Sequence, residues 1–156
     1  MIEKGQTAPD FSTPDQDNKD IKLSDYKGKN NAVLYFYPKD DTPGCTIEAN
    51  DFTALSEEFS KLDTLIFGVS MDSCDSHQAF IKKFNLKIKL LADTDGELCR
   101  NYFVWQEKEK DGIKKMGIVR STFIIDKEGK IAEAMYSVNP QGHAQEILDK
   151  IKKINS

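Results

Sequence analysis

Cys45 is the residue whose type and position most strongly indicate chemistry. It ends the segment Thr42-Pro43-Gly44-Cys45, and a threonine followed by a proline is typical of the N-cap and first position of a helix. Cys45 would then be the third helical residue, where unpaired backbone N–H groups and the positive end of the helix dipole favour a thiolate over a thiol. Because a free thiol with a pKa of about 8.5 is only slightly ionised at neutral pH, this position would make Cys45 a nucleophile.

The other interpretation of Cys45 is a small packing residue at a helix start, a common fate of a lone cysteine. A disulfide oxidoreductase with a C-x-x-C motif would need a second cysteine three residues after Cys45. Cys45 is followed instead by Thr46-Ile47-Glu48, so that class of oxidoreductase is disfavoured.

Metal and cofactor chemistry have little support in the sequence. Cys74-Asp75-Ser76-His77 contains two types of zinc ligand, but no further pair of Cys or His stands at a usable spacing, so we expect no metal. His77 and His143 are interpreted as polar surface or cap residues. The glycine-rich motifs of nucleotide-binding proteins and serine hydrolases are absent, so we expect no organic cofactor.

The first half of the chain predicts alternating strands and helices. Residues 1–31 are polar and turn-rich around a short edge strand at Ile21-Lys22-Leu23, which indicates an ordered N-terminal extension. Apolar runs then predict strands, and apolar residues at helical spacing predict helices between them. The strands are 32–37, 65–70 and 88–91, and the helices are 42–62, 73–84 and 96–102. This alternation implies a parallel sheet with right-handed crossovers.

The second half predicts a hairpin and a closing helix. Residues 117–126 are interpreted as one strand, 127–130 as a tight turn and 131–136 as the partner strand, which together form a β-hairpin. Residues 141–156 place apolar side chains on one helical face, so an amphipathic helix should cover the sheet.

Chain length, charge and cysteine content limit the classes of protein that the sequence could represent. The chain has 156 residues, a formal net charge of −4 and mixed charges, so we expect one domain over 1–156 and no binding of nucleic acid or membranes. It contains neither the roughly 18-residue apolar run of a membrane span nor a basic N-terminal leader, which indicates a soluble protein. Three cysteines without a paired spacing predict thiols kept reduced in the cytoplasm.

The sequence around Cys45 resembles the active-site loop of peroxiredoxins, specifically the bacterioferritin comigratory protein class, or peroxiredoxin Q. The similarity covers nearly the whole chain and includes the following segments: Tyr37-Pro38-Lys39-Asp40-Asp41-Thr42-Pro43-Gly44-Cys45-Thr46, Gly5-Gln6-Thr7-Ala8-Pro9-Asp10-Phe11, Gly68-Val69-Ser70, Arg120-Ser121-Thr122-Phe123 and Gly142-His143-Ala144. The resemblance implies an α/β, thioredoxin-like fold with a central mixed sheet flanked by helices.

The resemblance also implies roles for individual residues. Cys45 would be the peroxidatic cysteine, with Thr42, Pro43 and Arg120 as its pocket partners. The enzyme would reduce hydrogen peroxide and organic hydroperoxides through a sulfenic acid on Cys45, and thioredoxin or a similar thiol would recycle it. Members of this class are often monomeric and need no cofactor. The alternative is a peroxide-sensing redox protein that uses Cys45 without efficient turnover.

The residue that would resolve the sulfenic acid departs from the family pattern. Many members carry a resolving cysteine five residues after the peroxidatic one, where this chain has Asn50, and others carry it where this chain has Ile81. Cys74 follows the strand expected to neighbour the one before Cys45, so it is a candidate by topology. An external thiol is the main alternative, and Cys99 is expected to be a buried packing residue.

Overall fold

The computed structural model describes residues 1–155, along which strands and helices alternate. The strands are β1 (Ser12–Pro14), β2 (Asp20–Lys22), β3 (Asn31–Phe36), β4 (Thr64–Ser70), β5 (Lys89–Ala92), β6 (Trp105–Lys110), β7 (Ile113–Ile118), β8 (Ser121–Ile125) and β9 (Ile131–Met135). The α-helices are α1 (Pro43–Ala54), α2 (Ser56–Lys61), α3 (Cys74–Phe84), α4 (Glu97–Asn101) and α5 (His143–Ile154), and a 3₁₀ turn spans Leu23–Tyr26.

A five-stranded mixed sheet, in the order β5-β4-β3-β8-β9, forms the centre of the fold. β3, β4 and β5 run parallel, whereas β8 is antiparallel to β3 and β9 is antiparallel to β8. Every residue of β3 is buried, as its continuous apolar sequence predicts for a strand covered on both faces. The predicted mixed sheet flanked by helices is confirmed.

Alternate residues of β3 face two separate cores, since successive side chains of a strand point to opposite faces. Val33 and Tyr35 belong to the core that α1, α3 and α5 cover, and Leu34 and Phe36 belong to the core that α4 and the N-terminal extension cover. The predicted C-terminal amphipathic helix is confirmed as α5. Among residues 1–155, none of the helices combines the length and apolar composition that crossing a bilayer requires.

The N-terminal extension is attached to the rest of the molecule by its backbone. β1 and β2 pair as a short antiparallel ribbon, and the predicted edge strand near Ile21 is confirmed as β2. The Ile131 N–H donates to the Gln6 carbonyl at 2.9 Å, and the Tyr102 hydroxyl donates to the Pro9 carbonyl at 2.6 Å.

The predicted strand 117–126 is wrong, because it contains two strands separated by Val119 and Arg120. β7 pairs with β6 in a hairpin outside the central sheet, and only β8 enters that sheet. The Val119 N–H donates to the Val104 carbonyl at 2.8 Å, which diverts the chain between the two strands. The sequence analysis missed this hairpin, although its turn is Asp111-Gly112, with φ of 53° and 77°, a dipeptide that favours tight hairpin turns.

The predicted helix 42–62 is likewise divided. Leu55, with φ −101° and ψ 5°, lies between α1 and α2 and leaves the helical conformation. Phe52 and Phe59 on either side of this break both remain fully buried, and their ring centroids lie 6.0 Å apart. The apolar spacing therefore identified the buried face correctly but not the break within it.

Candidate active site

Cys45 lies in the first turn of α1, directly after the central strand β3. Thr42 is the N-cap, with an extended backbone, and Pro43 is the first helical residue, as the sequence predicts. The Thr42 side chain does not cap the helix, and its Oγ1 donates to the Lys39 carbonyl at 2.8 Å. The first N–H groups of α1 therefore have no side-chain cap, in the helical turn that contains Cys45.

Arg120, which lies outside α1, contacts the sulfur of Cys45. Its Nη2 lies 3.3 Å from the Cys45 Sγ, although the two residues are 75 positions apart in sequence. Arg120 directly precedes β8, and the first residue of β8, Ser121, pairs with Phe36 at the end of β3. The sheet therefore places the guanidinium beside the first turn of α1, where cations and helix N-termini both favour an anionic sulfur.

Glu48 is a third member of this site, and the sequence analysis missed it. It lies one turn after Cys45 on the same face of α1, is fully buried, and accepts a hydrogen bond from Arg120 Nη1 to its Oε1 at 2.7 Å. Its Oε2 is buried without a hydrogen-bond partner. The signal in the sequence was the i, i+3 spacing from Cys45, which places the two side chains together on a helix.

Burial and charge act in opposite directions on Glu48 and Arg120. Desolvation raises the pKa of Glu48 to about 7, although the charge of Arg120 and its hydrogen bond pull the pKa down. Desolvation also works against the charge of Arg120, but Glu48 and Cys45 outweigh it and raise the pKa of the guanidinium. Arg120 therefore stays a cation while it contacts two acidic groups.

Gly44 and Pro140 determine how closely Arg120 approaches the helix. A Cβ at Gly44 would lie 3.2 Å from Arg120 Nη2, which is tighter than ordinary van der Waals contact, and 3.4 Å from Pro140 Cγ. The Val138 N–H also donates to the Arg120 carbonyl at 2.9 Å. The loop before α5 thus forms a further wall of the site.

The interpretation of both histidines as polar surface or cap residues is wrong, because both are buried and the N-caps of α3 and α5 are Ser73 and Gly142. His77 and His143 are 0% and 2% exposed. His143 Nε2 lies 2.7 Å from Thr122 Oγ1 and its Nδ1 lies 3.0 Å from Glu146 Oε1, and burial lowers the pKa of its ring. Each ring is buried because side-chain and backbone partners satisfy both of its nitrogens.

One cluster of the described residues has the composition of a metal site. Asp40, Asp72 and His77 each offer a ligand atom within 4.8 Å of the others. His77 Nδ1 already lies 2.7 Å from Asp40 Oδ2, and Asp72 Oδ2 accepts from the Asp40 N–H at 2.8 Å. Each of these ligand atoms therefore already takes part in a hydrogen bond within the protein.

The structure places the other two cysteines away from the Arg120 contact. All three thiols are free, and the Cys74 Sγ, at the first residue of α3, lies 4.0 Å from Asn18 Oδ1. Cys99 is fully buried, and burial raises the pKa of its thiol far above the usual range. Cys99 is therefore a packing residue, as expected, and the structure brings together Cys45, Thr42, Pro43 and Arg120 but not Cys74.

Comparison with known proteins identifies the family of the chain. Residues 4–134 match the AhpC/TSA family. The chain is 47% identical over 154 residues to peroxiredoxin Bcp of Bacillus subtilis, covering 99% of this chain and 98% of the relative. It is 44% identical over 150 residues to a protein of Helicobacter pylori named putative peroxiredoxin bcp, covering 96% and 98%.

Solved structures give the same result for the fold. A PrxQ structure from Xylella fastidiosa superimposes with a TM-score of 0.94 at 35% identity, covering 100% of this chain and 99% of that one. Peroxiredoxin Q of Xanthomonas campestris superimposes with a TM-score of 0.89 at 39% identity, covering 94% and 92%. The thioredoxin-like fold implied by the sequence is thereby confirmed, and the chain belongs to the AhpC/TSA family as a peroxiredoxin of the Bcp, or peroxiredoxin Q, class.

Proposed function

We propose that Cys45 is the peroxidatic cysteine of this thiol-dependent peroxidase. The observation that carries the proposal is the 3.3 Å contact between Cys45 Sγ and Arg120 Nη2 at the start of α1. The Cys45 thiolate attacks the terminal oxygen of a hydroperoxide, an S–O bond forms as the O–O bond breaks, and the leaving oxygen takes a proton to become water or an alcohol. The product on the enzyme is a sulfenic acid.

Thr42 and Pro43 prepare the approach of the peroxide. Because the Thr42 hydroxyl donates its hydrogen bond to the Lys39 carbonyl, the lone pairs of its oxygen are available to accept a hydrogen bond from the peroxide O–H. Pro43 fixes the backbone entering the helix. These contacts orient the O–O bond along the line of attack, which reduces the entropic part of the barrier.

Arg120 supplies the positive charge that the transition state needs. Negative charge moves from the sulfur to the leaving oxygen during attack, and a guanidinium with several donors can stabilise it at both atoms. Glu48 holds the Nη1 side of the guanidinium at 2.7 Å, so that Nη2 faces Cys45. Glu48 thus acts through Arg120 as a positioning residue.

The proposed substrates are hydrogen peroxide and organic hydroperoxides. One similar structure, of Xanthomonas campestris bacterioferritin comigratory protein, is described in terms of alkyl peroxide reduction activity. We further propose thioredoxin or a similar dithiol as the reductant, and action in the cytoplasm as a one-domain monomer that binds neither nucleic acid nor membranes. The net charge of −4 supports the proposal that the protein binds neither nucleic acid nor membranes.

Two routes can resolve the Cys45 sulfenic acid, and Cys74 is the candidate within the chain. A disulfide needs Cα atoms within about 7 Å. The Cys74 sulfur faces Asn18, so the first turn of α1 would have to open before the two sulfurs meet. The other route is an external thiol that attacks Cys45 directly.

Intact mass and peptide mapping after one equivalent of hydrogen peroxide test both proposals. A loss of two hydrogens and a Cys45–Cys74 bond in the wild type, absent from Cys74→Ser, would establish Cys74 as the resolving residue. Gain of one oxygen at Cys45 in both proteins would assign resolution to an external thiol. If Cys45 is not selectively oxidised, its peroxidatic role is wrong.

A further inference from the structure

The loop that leads into Cys45 is held by a buried polar network that does not include Arg120. This loop, residues 37–42, joins β3 to α1. Asp40 within it is 8% exposed, and its Oδ1 accepts a hydrogen bond from the Tyr37 hydroxyl at 2.5 Å. A carboxylate this deeply buried requires further partners.

α3 supplies those partners. His77, which is fully buried, places Nδ1 2.7 Å from Asp40 Oδ2, and Ser76 Oγ donates to the same oxygen at 2.8 Å. His77 Nε2 lies 2.9 Å from the Leu91 carbonyl oxygen. Since a carbonyl oxygen only accepts, the ring donates through Nε2, and Nδ1 forms the hydrogen bond with Asp40.

The backbone of Asp40 is fixed as well as its side chain. Its N–H donates to Asp72 Oδ2 at 2.8 Å, and the Ser70 hydroxyl donates to the same carboxylate oxygen at 2.6 Å. The neighbouring Lys39 carbonyl accepts the Thr42 hydroxyl. A continuous set of bonds therefore runs from His77 through Asp40 and the adjacent peptide to Thr42, three residues before Cys45.

We propose that His77 and Asp40 are positioning residues for peroxide attack at Cys45. Their buried bond fixes the path of the 37–42 loop, and the loop fixes the Thr42 oxygen relative to the sulfur. None of the contacts described for His77 involves Cys45, Thr42 or Arg120, so it acts through the loop. The inference rests on the proposed role of Cys45 and adds residues that its pocket does not include.

A control variant can show whether the buried His77–Asp40 hydrogen bond matters specifically, or whether any contact between the 37–42 loop and α3 has the same effect. Lys83 on the same helix pairs with Asp41 in the same loop at 2.7 Å, but both side chains are about half exposed. An exposed pair of this kind contributes little. Lys83→Met therefore serves as a matched control that removes a loop-to-helix contact without touching the buried network.

Two substitutions of His77 test the hydrogen bonds of its two ring nitrogens separately. His77→Asn keeps a donor near the position of Nδ1, and His77→Gln keeps one near Nε2 but leaves Asp40 without its nitrogen partner. For each protein, stopped-flow kinetics give the rate constant of Cys45 with hydrogen peroxide. Mapping of the Cys45 peptide gives the rate constant of the same sulfur with iodoacetamide, which needs no oriented oxygen.

We expect His77→Gln to lower the peroxide rate constant by about ten- to a hundredfold, since a small misplacement of a reacting group has effects of this size. The iodoacetamide rate constant should change by less than about threefold, His77→Asn should recover most of the peroxide rate, and Lys83→Met should match the wild type. If His77→Gln does not fold, Ser76→Ala, which removes one donor to the same oxygen, should show the same selective fall to a smaller extent.

Equal losses in both rate constants, or equal losses in the Asn and Gln variants, would overturn the positioning role. So would an unchanged peroxide rate in a folded His77→Gln protein. A wild-type peroxide rate no faster than that of a free thiol would be a different failure, because it would remove the role of Cys45 on which the inference rests.

Discussion

At the scale of single residues, the site contains one cation shared between two acids. Arg120 contacts the Cys45 sulfur through Nη2 and the Glu48 carboxylate through Nη1. Only a planar fork with several donors can make both contacts at once. The charge available to the sulfur therefore depends on the identity of the cation and on the protonation of Glu48.

Replacing Arg120 by Lys tests the need for the fork. A single ammonium keeps the charge but cannot reach both the sulfur and Glu48 with the same geometry. We expect the peroxide rate constant in stopped-flow assays to fall by about a hundredfold, the size seen when one preorganised donor is removed. Arg100→Lys is the matched control, because Arg100 donates to the Asp95 carbonyl in an exposed position. A fall of less than about threefold in Arg120→Lys would contradict the prediction.

Glu48 makes the stability of the fold depend on pH. Burial raises its folded pKa from 4.5 to about 7, so the folded state binds more protons than the unfolded state between these values. The free energy of unfolding therefore falls as pH rises through this window, by up to about 3 kcal/mol in total. Glu48→Gln lacks this loss, since an amide does not titrate.

Urea unfolding at pH 5 and pH 8 measures the effect. The difference in unfolding free energy between Glu48→Gln and the wild type should increase towards pH 8. Glu57→Gln, at an exposed position, should show no such increase. If the difference for Glu48→Gln is the same at both pH values, the ionisation of Glu48 does not change on folding as described.

At the scale of elements, the site is built where β3, β8 and α1 meet. β3 ends directly before the loop to Cys45, and β8 begins directly after Arg120. Because these strands are paired in the central sheet, their packing determines the distance between sulfur and guanidinium. A disturbance within the sheet should therefore reach the site even when it is remote from Cys45.

Gly68 in β4 provides such a disturbance. A Cβ there would lie 2.8 Å from Tyr35 Cζ and Oη and from Leu90 Cδ2, and both side chains are buried. We expect Gly68→Ala to lower the free energy of unfolding by about 1–3 kcal/mol, as overpacking of a core does. Gly117→Ala is the control, because there the neighbour is the flexible Lys108 side chain at 3.1 Å. Equal effects in chemical denaturation would contradict this difference.

The elements differ in how readily the sequence predicts them. β3 and β4 are evident because they are continuous apolar runs, as buried parallel strands require. β6 and β7 were missed because Glu107, Lys108, Glu109 and Lys110 show no apolar alternation. A hairpin that buries little depends on its turn and backbone pairing, and neither leaves a hydrophobic pattern.

The site shows the same limit. Cys45, Thr42 and Pro43 are adjacent in sequence, so helix-capping rules place them together, and Arg120 was identified through a family resemblance. Polar side chains usually lie at the surface, so nothing in the sequence indicates burial of Glu48, Asp40 and His77. Only their hydrogen-bond partners in the folded chain show why they are buried. Partners 37 residues apart, such as Asp40 and His77, are not visible in local patterns.

At the scale of the whole molecule, stability should be concentrated in the central sheet. β3 is paired on both sides and fully buried, whereas β6 and β7 pair with each other and are mostly exposed. Native-state hydrogen exchange should therefore be slowest for amides of β3 and fastest for those of β6 and β7 among the strands. Protection of the β6–β7 amides equal to that of β3 would show that the hairpin is bound more firmly than its contacts suggest.

If Cys45 is the peroxidatic residue, as proposed, its burial implies an order of events in the catalytic cycle. With 2% of its surface exposed, this residue is reached more readily by a small hydroperoxide than by the thiol of another protein. The closed site is therefore a size filter that admits the oxidant and delays the reductant. If this delay makes reduction slower than oxidation, the oxidised fraction of the enzyme should rise with the supply of peroxide.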